Sequence, residues 1–170
     1  GEWNTENPQL ANATMDMLTE GAGEYDSAGL SAEQRRFAAS LSSYAGLDGS
    51  AITLSSLKKN LDDSLGLLDL IVSEATFPTK EWEILQRQYR QQLQASQQDP
   101  NSIAGNLFNQ LMYQGQYAGR STTMADIDSI TTEQMKTWYA ANVHAANASI
   151  YVGGDATMAE VLPLLEARFA

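Results

Sequence analysis

The spacing of apolar residues changes once along this chain, near Leu57, and that change constrains the fold more than any other feature. Before it, Ala39–Tyr44 and Ser50–Leu57 read as two strands. Between them, Gly46-Leu47-Asp48-Gly49 supplies residues that tolerate positive φ, so the pair is expected to form a β-hairpin. From Lys58 onward the period lengthens. Leu57, Leu61, Leu65, Leu68 and Val72 recur at intervals of three or four, the stripe of an amphipathic helix whose leucines should be buried. A hairpin followed by helices predicts an α+β fold, an antiparallel sheet with helices packed mainly on one face.

Punctuation residues set the other elements. Asn7-Pro8 is expected to open a first helix, with Pro in the first turn, running to about Glu20 and ending in the Gly21-Ala22-Gly23 break. Ser31 and Gln34 have capping-box spacing, which predicts a short helix through Arg36. Phe77-Pro78-Thr79 separates the leucine helix from a long polar one, Lys80 to about Gln98, with Trp82, Leu85, Tyr89 and Leu93 as its apolar face. Asp99-Pro100 ends that helix and starts another, carrying Ile103, Leu107 and Leu111. A glycine-containing loop (Gly115, Gly119) leads to a helical turn near Ala125-Asp126, a helix at Glu133–Ala141, a strand at Asn147–Gly153 and a closing segment at Ala156–Ala170. With no internal repeat and no linker, residues 1–170 read as one domain.

Composition excludes several classes of function. At 170 residues and 43% hydrophobic content the chain supports a core. The net charge is −11, and the densest basic pairs are only Arg35-Arg36 and Lys58-Lys59, so a nucleic-acid surface is excluded. The apolar runs are too short for a membrane span. Gly1–Glu20 lacks the basic start and apolar stretch of a signal peptide. Zero cysteines rule out disulfides and thiolate metal sites, and fit the cytosol and a bacterial cell envelope equally well.

Residues 10–23, Leu-Ala-Asn-Ala-Thr-Met-Asp-Met-Leu-Thr-Glu-Gly-Ala-Gly, resemble a helix of the pitrilysin/insulinase family of zinc metallopeptidases. That helix typically reads G-L-A-H-F-x-E-H-M-L and carries an inverted zinc motif, H-x-x-E-H. The resemblance continues through Met17-Leu18-Thr19-Glu20-Gly21 (M-L-x-E-G), Leu54–Leu65 (L-S-x-L-x-x-N-L-x-x-A-L, with Ser64 for alanine) and Phe77-Pro78. It extends to Asp99-Pro100, Tyr117-Ala118-Gly119-Arg120, Ser129-Ile130-Thr131, Asn147-Ala148-Ser149 and Val152-Gly153-Gly154-Asp155. Each piece alone is weak, but in this order they span essentially the whole chain.

The resemblance implies where a zinc site would lie, and every position in it is changed. Asn12 takes the first ligand position, Met15 the general-base position and Asp16 the second ligand position. Gln92, 76 residues beyond Asp16, takes the third, a glutamate in the family. One carboxylate and two neutral amides make a poor zinc site, since catalytic zinc is normally held by three protein ligands, most often histidines with a carboxylate or thiolate. A thioether neither accepts nor delivers the proton of a metal-bound water, so Met15 reads as packing. No cofactor is expected. His144 is the only histidine and has no cysteine partner; with no G-x-S-x-G elbow in the chain, a serine triad is equally excluded.

Family members act as two similar halves that close like a clamshell around an unfolded peptide, one half carrying zinc. The resemblance therefore implies a non-catalytic, peptidase-like domain. Its partners would be a catalytic zinc-bearing half, in the same chain or a separate subunit, and an unfolded peptide. The alternative is a scaffold subunit of a larger assembly with no role in proteolysis. Two departures stand out. The family domain begins with two or three strands where only about seven residues precede Pro8 here, and a further α/β subdomain follows the position of Phe169.

Overall fold

The computed structural model describes residues 6–169. Residues 1–5, most of the stretch ahead of Pro8, and Ala170, the end of the closing segment, lie outside them. The elements run α1 (Leu10–Asp16), β1 (Gly21–Ala22), β2 (Tyr25–Asp26), α2 (Ser27–Phe37), β3 (Ser40–Ala45), β4 (Ser50–Ser55), α3 (Leu61–Ser73), α4 (Thr79–Ser96), α5 (Pro100–Met112), α6 (Met124–Ser129), α7 (Thr132–Asn142) and α8 (Met158–Phe169). The fold is α+β, with small antiparallel ribbons and helices forming most of the mass.

β3 and β4 form the expected hairpin, in register Leu41↔Leu54 and Ser43↔Ile52. The two-residue period puts Leu41, Ser43 and Ala45 on the inner face, and α1 packs across that face. The core lies between α1, α3, α4 and α7. Met15, Met17, Leu18, Leu30, Ile71 and Met135 are fully buried there, with Phe77, Trp82 and Trp138 nearly so. Two of the aromatics spend their polar tips on backbone carbonyls. Trp82 donates its indole N–H to Ile130 at 3.1 Å, and Tyr139 its hydroxyl to Val72 at 2.9 Å. Phe77 stands at φ +50°, a costly conformation for a bulky residue, and its buried ring packs edge-on against Tyr139 at 5.5 Å.

Five expectations are corrected. α1 starts at Leu10, because Asn7 folds the chain into a side-chain turn around Pro8, accepting the Gln9 N–H at 2.9 Å. Gly21-Ala22-Gly23 is more than a break. It forms β1 and docks on residues 74–76, where a side chain on Gly21 would collide with Thr76 and Pro78. α2 is capped by Asp26, whose carboxylate takes the Gly29 N–H, so Ser31 and Gln34 fall inside the helix. Gln34 instead holds the Leu41 N–H of β3.

The leucine stripe is also rotated. Lys58–Asn60 forms a 3₁₀ turn, whose tighter winding breaks the register between Leu57 and α3. Leu57 is exposed and Leu61 and Leu68 half-buried, while Ser64, Leu65, Leu67 and Ile71 turn inward. Finally, Asn147–Gly153 carries no strand. A strand exists through its ladder, and no described strand pairs with this one, which leaves Tyr151 92% exposed.

Ser64, which stands where the resembling family has alanine, is fully buried in α3 and its hydroxyl has no hydrogen-bond partner among the described residues. Such an orphan typically costs about 1–3 kcal/mol, and alanine is also the better helix former. Ser64→Ala is therefore expected to raise stability by about 1 kcal/mol. A lower urea midpoint in the variant would show that the hydroxyl is satisfied after all.

Candidate functional site

The four positions singled out by the sequence sit on two helices. On α1, Asn12 and Asp16 lie one turn apart and half-buried, and Met15 is 1% exposed. On α4, Gln92 is exposed. The α1 residues are bound into the fold. Asn12 accepts the Ala45 N–H of β3 at 3.3 Å through its amide oxygen, and the Met15 carbonyl accepts the Ser43 hydroxyl at 2.7 Å. α1 is thus tied to the hairpin at both ends of a helical turn.

Asp16 is tied to α4. The Tyr89 hydroxyl donates to its carboxylate at 2.5 Å, a short, charge-assisted bond. Burial raises the Asp16 pKa above the ordinary carboxylate value, and the bond from Tyr89 pulls the other way. Tyr89 is pushed far above the usual phenol value, by burial first and then by the adjacent carboxylate. Its ring also packs obliquely on Trp82, with centroids 6.1 Å apart. Tyr89 is the residue at this point that its sequence context conceals: on the apolar stripe of α4 it is the one hydroxyl, and it lies one turn before Gln92.

The donor set does not fit zinc. Among the described residues no three His, Asp or Glu side chains come together as a metal cage. At α1 the single carboxylate already holds a tyrosine hydroxyl, and the Asn12 oxygen holds a backbone N–H. Met15, buried among apolar side chains, offers no proton acceptor. His144 is exposed, and no described helix is long and apolar enough to cross a membrane.

Two surface features adjoin the site. A groove of about 550 Å³ lies beside Tyr89 and Gln92, between α4 and α5, and is lined chiefly by amide and hydroxyl side chains. The remainder of α5 is apolar and open, with Ile103, Leu107, Phe108, Leu111 and Met112 all 49–69% exposed. A single helix exposing five large apolar side chains is unusual in a free-standing domain.

No protein-family model and no curated protein sequence matches the chain. Solved structures do. The structure described as the peptidase M16 inactive domain from Pseudomonas fluorescens superposes with a TM-score of 0.89 at 21% identity, covering 96% of this chain and 40% of that one. A protease from Helicobacter pylori gives a TM-score of 0.87 at 17% identity, covering 99% and 42%. The ferredoxin protease FusC, solved in complex with Arabidopsis ferredoxin, gives 0.72 at 17% identity, covering 96% and 18%. The chain thus spans less than half the length of each of these proteins. Its fold is thus the one shared by the M16 peptidase inactive domain and by these proteases.

Proposed function

We propose that this chain is a non-catalytic domain of a zinc peptidase, one wall of a clamshell chamber closed by a catalytic, zinc-bearing half. The observation that carries the reading is the state of α1. Where the family places ligands and general base, Asn12 and Asp16 are committed to structural hydrogen bonds and Met15 is core. The open apolar side of α5 supports an assembly larger than this chain, since such a patch marks a surface that another element covers. The ferredoxin seen with one structural neighbour belongs to that protein; by analogy of fold, an unfolded peptide is the substrate class for the chamber here.

The test is a cleavage assay on a quenched fluorescent peptide without stable structure. This chain alone should not cleave it. A half bearing H-x-x-E-H, encoded in the same or a neighbouring gene, should cleave efficiently only when the two are combined, and a chelator should abolish that activity. Cleavage by this chain alone would overturn the reading. A stable complex whose cleavage rate is indifferent to this chain would establish the scaffold alternative instead.

A further inference from the structure

We propose that the groove between α4 and α5 holds an extended peptide by its main chain, through uncharged side chains alone. This rests on the chamber-wall reading and adds where on the wall the peptide docks and which groups hold it. Gln92 on α4 and Asn106 and Asn109 on α5 line the groove with exposed amides. Gln9 and Thr122 belong to the same lining and are joined by a hydrogen bond from the Thr122 hydroxyl to the Gln9 amide oxygen at 3.4 Å. Among the described residues no acidic or basic side chain lines it, although the chain has 21 acidic and 10 basic residues. The charge-free stretch runs unbroken over residues 100–119.

Primary amides carry both a donor and an acceptor, the same pair a peptide group presents, so each can meet one main-chain N–H and one C=O. Asn106 and Asn109 are three residues apart on one helix face, with roughly 5–6 Å between Cβ atoms. Main-chain groups on one side of an extended strand repeat at roughly 6.6 Å, within the reach of two rotatable amides. A neutral sugar would use the same hydrogen bonds, but it also wants a free aromatic face. Among the described residues the one aromatic ring lining the groove, Tyr89, is packed on Trp82 and bonded to Asp16. A charge-free groove selects neither acidic nor basic side chains, so it takes unfolded segments of varied sequence. Its affinity should not depend on salt.

Fluorescence anisotropy with a labelled, uncharged decapeptide of Ala, Ser and Gly tests this on the purified chain. Binding should persist from about 50 to about 500 mM salt. The same peptide methylated on alternate main-chain nitrogens should fail to compete. Asn106→Ala combined with Asn109→Ala should weaken binding about tenfold or more with an unchanged melting curve, as expected for losing two hydrogen bonds at exposed positions. Leu107→Ser, on the apolar side of α5, should bind as the parent does. Equal competition by the methylated peptide, groove-dependent binding of maltohexaose in its place, or no peptide binding up to millimolar concentration would each overturn the proposal. Undiminished binding by the double variant would also overturn it, while leaving the chamber-wall reading standing, because peptide would then dock elsewhere on the chain. That wider reading fails separately, in the cleavage assay.

Discussion

Met15→Glu, the change that places a carboxylate where the resembling family has its general base, is expected to cost about 3–5 kcal/mol at pH 7 and to unfold much of the population of a marginally stable domain. The methionine is 1% exposed, and the core around it includes Leu18, Trp138 and Met135. A carboxylate buried in that apolar cluster takes up a proton rather than stay charged. Holding a glutamate neutral at pH 7, against an ordinary value near 4.3, costs about 4 kcal/mol at roughly 1.36 kcal/mol per unit. That penalty should fade as the pH drops toward about 4, where the unfolded chain also protonates the side chain. Met15→Gln has no such pH dependence, and Met15→Leu conserves volume and should cost less than about 1.5 kcal/mol. Urea melts of the three variants at pH 4 and pH 7 provide the check. A Glu variant as stable as the Leu variant at pH 7 would show that water or a cation reaches this point of α1.

The restored base therefore makes no sense without a restored metal, and this shows which parts of the site were legible in the sequence. Chemistry that is absent is easily read: Asn12, Met15, Asp16 and Gln92 announce by residue type that imidazole and glutamate are missing. What replaced that chemistry is harder to see. The bond between Tyr89 and Asp16 joins residues far apart in the chain, and no local pattern marks a tyrosine on an apolar stripe as a carboxylate's partner. The same divide runs through the fold. The β3–β4 hairpin, the Phe77-Pro78 break and the Asp99-Pro100 break depend on neighbours in sequence, and all three are readable there. β1 depends on docking against residues 74–76, and the face of α3 on a 3₁₀ turn that shifts the register; neither leaves a periodic trace. Asn147–Gly153 has a strand's composition but no described partner, so propensity alone did not make it one.

Tyr89→Phe is expected to cost about 1.5–3 kcal/mol at pH 7, the range for a hydrogen bond to a charged group, because it leaves the half-buried Asp16 carboxylate without its donor. In an Asp16→Asn background the same change should cost only about 0.5–1.5 kcal/mol, the range for a neutral pair. The difference is the coupling that a double-mutant cycle isolates. pH adds a second signature. Burial raises the folded pKa of Asp16 above its unfolded value, so its contribution is fully present below about pH 4 and is lost as pH rises through the folded value. Asp16→Asn should accordingly be at least as stable as the parent at pH 7 and should lack the parent's relative gain on acidification. Tyr89 has the same sign at the other end of the scale. Its raised value leaves its contribution intact up to about pH 10, beyond which the parent should lose stability that Tyr89→Phe does not have to lose. Urea melts of the four proteins at pH 3, 7 and 10.5 decide the matter. Additive effects at pH 7 would mean that the hydroxyl and the carboxylate are neighbours without being partners, and that α1 is held to α4 by packing alone.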